Sequence, residues 1–253
     1  MAFQRGHFAD FFKANSMGSA ILVQRRRWLA EDAPKYMQVL PGADRYLREA
    51  AEMGVAHQTL PADADTTTPG TELARYLGEH WEPDYLILQR ADAVPRLVCG
   101  CVCFPSSWAL EEKIGRSMDE IHGVVPRLNV ELGRQIATFL DRLKPGVTWM
   151  RSNWGLSRSP ELNQHPSRNT PRLDETVTLD QVHFRLEEQS LTALPATNGI
   201  LFGIRVRNVA LSSYRNSSEG ERLANALETM PEAIAEYKGL TRARKQIIQA
   251  LRG

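Results

Sequence analysis

Residues Val182 to Val209 read VHFRLEEQSLTALPATNGILFGIRVRNV. In the first run, Val182, Phe184 and Leu186 alternate with His183, Arg185, Glu187 and Gln189. That period of two predicts a strand with one apolar face and one dense in hydrogen-bonding groups. A second β-rich run, Ile200 to Val209, follows the turn pair Asn198-Gly199, so the two are expected to form an antiparallel hairpin.

Upstream, Val147 to Leu156 (VTWMRSNWGL) reads as another strand, joined to the hairpin by a polar connector from Ser157 to about Thr176. A connector of that length inside a domain is expected to be ordered or functional. Earlier still, Tyr85 to Leu88 (YLIL) and Leu97 to Phe104 (LVCGCVCF) suit a hairpin across ADAVPR. Between the two groups the chain is helical and closely punctuated. Ser106 or Ser107 is expected to cap a turn of helix containing Glu111 and Glu112 and ended by Gly115, and Ser117 with Glu120 matches a capping box. After Pro126, Leu128, Leu132, Ile136, Phe139, Leu140 and Leu143 recur at helical spacing until Pro145-Gly146.

The flanks read as helices and loops. PADADTTTPGTE, from Pro61 to Glu72, is a loop by composition, and Leu73, Tyr76 and Leu77 lie at helical spacing after it. At the other end Leu223, Leu227 and Met230 share one helix and Ile247, Ile248 and Leu251 another, with breaks at Pro231 and Gly239. The fold class is therefore α+β: an antiparallel sheet of about five strands, helices inserted between strands two and three, and helical N- and C-terminal extensions. Residues 1–80 are expected to wrap a core at 81–215, with C-terminal helices at 216–253, all in one domain.

Thirty-one Lys plus Arg against 30 Asp plus Glu leave a formal charge of +1, which gives no electrostatic footprint for nucleic acid or an anionic membrane. The run Arg25, Arg26, Arg27 reads as a solvated helix face. No apolar stretch approaches the ~20 residues needed to span a bilayer. MAFQRGHFADFF lacks a secretory core, so a cytoplasmic location is expected. The three cysteines, Cys99, Cys101 and Cys103, share one strand face and are expected to be buried thiols, since same-face positions ~7 Å apart cannot close round one zinc.

FPSSW (Phe104 to Trp108), EKIGR (Glu112 to Arg116), IHGVVPR (Ile121 to Arg127), RSNWGL (Arg151 to Leu156), EEQSLTALP (Glu187 to Pro195) and ILFGIR (Ile200 to Arg205) resemble, in order and spacing, the haem-dependent oxidative N-demethylase family. The resemblance runs from about Gly18 to Gly239. It implies a PAS-type fold that binds haem b and uses O2 to demethylate a small secondary amine such as dimethylamine, giving methylamine and formaldehyde. It also implies a separate reductase carrying flavin and iron–sulfur groups. The chain itself has no dinucleotide fingerprint and no four-cysteine cluster motif. Glu188 and Ala193 stand where the family tends to be basic, so positive charge is lost beside the expected cavity. That departure keeps a second reading open, a non-catalytic haem sensor or binding module.

Six histidines are available as iron ligands. His7, His57, His80 and His165 lie in polar or terminal contexts and are expected to face solvent. His122 sits between a capped turn and Pro126, beside Gly123, which would admit a flat macrocycle; the resemblance makes it the candidate metal ligand. Its alternative is a histidine that bonds only its own turn. Lys113, Arg116 and Arg127 flank it as candidate propionate partners, or as exposed charges. His183 and Gln189 are candidates for the cavity's far wall. Glu187 is a candidate grip for an ammonium group, with Arg151, Asn153 and Arg205 donating hydrogen bonds nearby. The alternative for these is a solvated sheet face with cross-strand ion pairs. Trp108, Trp149 and Trp154 are pocket walls or core aromatics. A thiolate ligand is the chemical runner-up, although C-x-C-x-C inside a strand lacks an exposing loop.

Overall fold

The alternation at 183–209 becomes the longest hairpin of the sheet. The computed structural model describes residues 3–14, 18–90, 94–123 and 138–253. Among them, β1 (Gln4–Gly6), β2 (Met37–Val39), β3 (Asp84–Gln89), β4 (Arg96–Cys101), β5 (Thr148–Ser157), β6 (His183–Leu194) and β7 (Gly199–Ala210) form a seven-stranded sheet in the order β1-β5-β6-β7-β3-β4-β2. All neighbours are antiparallel. The inner five are the strands expected from the sequence. The count of five is corrected by β1 and β2, which the first 80 residues add at the two edges. Three residues are too few to show a period, so pairing with β5 and β4 makes them strands, not their own pattern.

Helices α1 (Phe8–Phe12), α2 (Gly18–Tyr36), α3 (Asp44–Ala56) and α4 (Gly70–His80) precede β3. The face of the sheet that carries Tyr85, Cys99 and Cys101 meets this layer: the Tyr85 hydroxyl donates to Ala74 O at 2.8 Å, and Gly78 of α4 sits against the Cys101 sulfur. All three thiols are fully buried, as expected. Gly203 of β7 is where α1 seats. A Cβ added there would lie 2.6 Å from Phe11 Cε1, 2.7 Å from Ser190 Oγ and 2.9 Å from Phe12 Cζ. Gly203→Ala is therefore expected to lower stability by about 1–3 kcal/mol, read as a reduced urea midpoint at constant slope.

The arginine run is not uniformly solvated. Arg25 is fully buried: its Nη1 lies 2.5 Å from Asp84 Oδ1 and its Nη2 donates to Glu82 O at 2.6 Å. Asp84, 1% exposed, also accepts from the backbone N–H groups of Cys103 and Phe104, both at 2.9 Å. An unpaired buried arginine would be costly, and this carboxylate removes the cost.

On the C-terminal side, α6 (Ser218–Glu228), α7 (Glu232–Tyr237) and α8 (Arg244–Arg252) pack Leu223, Leu227, Ile247 and Leu251 into a second apolar cluster with Leu156 and Val182. The long connector is ordered and holds buried Asn163, Gln164 and His165. The helix expected after Ser106 or Ser107 is absent: residues 111–115 form turns, and Ser107 has a positive φ of 59°. Residues 138–141 are helical, whereas 124–137 of the helix expected after Pro126, and Arg127 with them, lie outside the described residues. No helix among the described residues is long and apolar enough to cross a membrane.

Candidate functional site

The pairing of β5 with β6 builds the site. Register sets Asn153 opposite Glu187 and Arg151 opposite Gln189, so strand alternation turns all four side chains to the same face. Arg151 Nε donates to Gln189 Oε1 at 2.6 Å, and Gln189 Nε2 donates to Glu187 Oε2 at 3.1 Å. Asn153 Nδ2 reaches the same carboxylate oxygen at 3.5 Å. The other oxygen, Oε1, accepts a short hydrogen bond from the Ser106 hydroxyl.

Ser106 was missed as a site residue, because its serine in FPSSW also reads as a helix cap. Its partners lie about 80 positions along the chain. Besides donating to Glu187 it accepts from Arg185 Nε at 2.7 Å. Arg185 is 3% exposed and ends in a cage of backbone carbonyls: Phe104 O at 2.9 Å, Leu162 O at 2.8 Å and Pro105 O at 3.3 Å. Burial pushes this guanidinium down to about 10, opposed by the nearby charges of Glu187 and Asp84. The alternation of Arg185 with His183 and Glu187 was its visible signal.

Helix α5 (Met118–His122) follows the turns at 111–115. Its capping box is complete: Ser117 Oγ accepts from Glu120 N at 3.3 Å, and Glu120 Oε2 accepts from Ser117 N at 2.7 Å. The helix therefore starts at a fixed point and ends at His122, which is half-buried. Burial, then the positive charge of Arg151, lowers the His122 pKa; Lys113 adds to this and Asp119 opposes it. Arg151 of the polar row is thus near enough to His122 to act on its charge. Lys113, half-buried, is itself lowered by burial and by neighbouring Arg116. Arg151, Asn153, Glu187 and Gln189 thus form one hydrogen-bonded row, and Arg151 and Lys113 are the cations that act on His122. Gly123, exposed, closes α5.

Three residues lie apart from this group. Arg205 sits opposite Glu188 on the reverse face, where it donates to Phe11 O at 2.5 Å and pairs with Glu82 at 3.4 Å, so it holds down α1. His183 shares the face of Glu187 but lies four positions away, roughly 13 Å along the strand. Its Nδ1 is buried without a hydrogen-bond partner among the described residues. Trp154 stacks on Phe184 at 5.8 Å in the second cluster.

Two other expectations change. His165 is buried, not solvent-facing: its Nε2 lies 3.0 Å from Glu111 Oε1 and its Nδ1 2.9 Å from Ser167 Oγ. Its connector folds back into the protein, where Asn163 bonds the Tyr36 hydroxyl at 3.0 Å. Glu188, expected beside the cavity, points to the reverse face and pairs with Arg207 at 3.1 Å. Ala193 is fully buried, six positions or about 20 Å from Glu187. Neither departure alters the polar row.

As a donor set for haem, these residues fit. Iron binds the neutral imidazole, which burial and two neighbouring cations favour at His122, and Lys113 and Arg116 are charges suited to propionates. The family model described as haem-dependent oxidative N-demethylase, alpha subunit-like, matches residues 28–248.

Proposed function

Because this chain belongs to the haem-dependent oxidative N-demethylase, alpha subunit-like family, we propose that it is the haem b subunit of an O2-dependent demethylase of small secondary amines. Dimethylamine is the simplest such substrate. The balanced reaction takes dimethylamine, O2, two electrons and two protons to methylamine, formaldehyde and water. Bound haem supplies the activation of O2. The chain's three cysteines are buried and free, which leaves electron delivery to a partner, in our reading a flavin and iron–sulfur reductase. Membership of an alpha subunit-like family agrees with a partner subunit.

One observation carries the reading of the substrate: Glu187 receives donors on both oxygens, from Ser106 and Gln189, in the polar row that includes Arg151. A carboxylate so held binds an ammonium group by a charge-assisted hydrogen bond. In this reading His122 would hold the haem iron. Lys113, Arg116 and Arg127 neutralise the propionates, Arg151 and Asn153 order the polar wall, and His183 lines its far end. Arg205 acts only by fixing α1 behind the sheet. The succession of two strands, an intervening segment and three strands supports a PAS-type core.

The test is to incubate the haem-reconstituted chain with a reductant, O2 and dimethylamine and to assay formaldehyde. Amine-dependent formaldehyde is expected, and Glu187→Gln is expected to lower it roughly 100-fold. Haem binding without amine-dependent formaldehyde would instead support the sensor alternative.

A further inference from the structure

Two relays of the same form converge on Glu187. An arginine N–H can only donate. Ser106 Oγ therefore accepts from Arg185, and its single proton is left for Glu187 Oε1. In the same way Gln189 Oε1 is occupied by Arg151 Nε–H, which settles the orientation of the amide and turns its Nε2–H towards Glu187 Oε2. The direction of each hydrogen bond at the carboxylate is thus set one residue away from it, by a cation that has no alternative.

We propose that Arg185 through Ser106, and Arg151 through Gln189, are positioning residues that hold Glu187 as a hydrogen-bond acceptor on both oxygens. The ligand group it takes must then be a donor, an ammonium cation in preference to a neutral carbonyl compound or an anion. This deepens the demethylase reading and rests on it for the identity of the amine. Its physical core, the fixed polarity, rests on the hydrogen bonds alone.

The frame is built to keep that polarity. Arg185 is locked by carbonyls of 104, 105 and 162, and Asp84 in turn fixes the backbone at 103 and 104. Among the described residues, the charged and titratable groups that act on Glu187 are Arg151 on β5, Arg185 on its own strand, and Tyr237 and Lys238 at the end of α7. Lys238 is anchored to Trp154 O at 2.6 Å. Three of these four are cations, and none accepts a proton from Glu187 in the relay.

The experiment follows Glu187 itself. In the haem-loaded full-length chain, the position of the carboxylate infrared band, assigned by difference from Glu187→Gln, is compared between the native protein and its variants. Ser106→Ala is expected to shift the band as one hydrogen-bond donor is lost, and Ser106→Thr, which keeps the hydroxyl, to return it. Gln189→Leu on the second relay gives a displacement in the same direction. Calorimetric affinity for dimethylammonium falls roughly tenfold in Ser106→Ala. An unmoved band in both Ser106→Ala and Gln189→Leu, or a threonine variant no better than alanine, overturns the proposal. A band that moves and is rescued, in a protein that makes no formaldehyde from the amine, leaves the relay standing and removes the demethylase reading.

Discussion

Asp84→Ala is expected to destabilise the protein by about 3–5 kcal/mol, the cost of stranding one member of a buried ion pair. The carboxylate does two jobs. It neutralises Arg25, whose side chain is 0% exposed, and it accepts the N–H groups of Cys103 and Phe104. The second job decides how a rescue should behave. Removing both charges, as in Arg25→Met combined with Asp84→Leu, eliminates the unpaired guanidinium but leaves two buried N–H groups without acceptors. The double variant should therefore stay below the native protein, each lost acceptor costing about 1–3 kcal/mol. Asp84→Asn, which retains one oxygen, should fall between. Urea denaturation with a constant slope measures the series; a loss under about 1 kcal/mol for Asp84→Ala would show that the pair contributes little. The backbone at 104 and 105 also supplies the carbonyls that cage Arg185, so the same substitution should loosen the polar row at a distance.

His122→Ala is expected to remove the residue that would hold the haem iron, with loss of the histidine-type Soret band on haem reconstitution and an affinity drop of about 100-fold or more. The expectation follows from how the side chain is presented. The capping box at Ser117 fixes the first turn of α5, five residues long, so the ring has little freedom to search. Burial and the cations Arg151 and Lys113 disfavour the imidazolium, keeping a ring lone pair available below the ordinary histidine range. Exogenous imidazole should restore the band in His122→Gly, where the space of the side chain is vacated. An unchanged spectrum in His122→Ala would assign the iron to another ligand.

Local pattern made some of this legible. Alternation at 183–189 marked the polar row, Asn198-Gly199 marked the reversal, and Ser117 with Glu120 marked the start of α5. Relations between distant segments were not legible. Which of three adjacent arginines faces inward depends on Asp84, 59 positions away. Which face Arg205 or Glu188 occupies depends on the register of β6 against β7, and that register sets the two opposite each other behind the polar row. Ser106 carries no periodic signal, and its hydroxyl serves a relay assembled from three parts of the chain. His165 reads as polar and exposed until its connector is seen to fold back over Tyr36.

The three-residue strands at either margin also bear on how the molecule behaves in a crowd. Without β1 and β2, the outermost strands would be ten-residue β5 and six-residue β4, each offering a row of unsatisfied backbone groups to any passing chain. β1 covers Thr148 to Met150 of β5 and β2 covers Cys99 to Cys101 of β4, so each shortens the open edge beside it. The opening forty residues thus narrow the edges on which another chain could add a strand, which no single hydrogen bond among them would suggest.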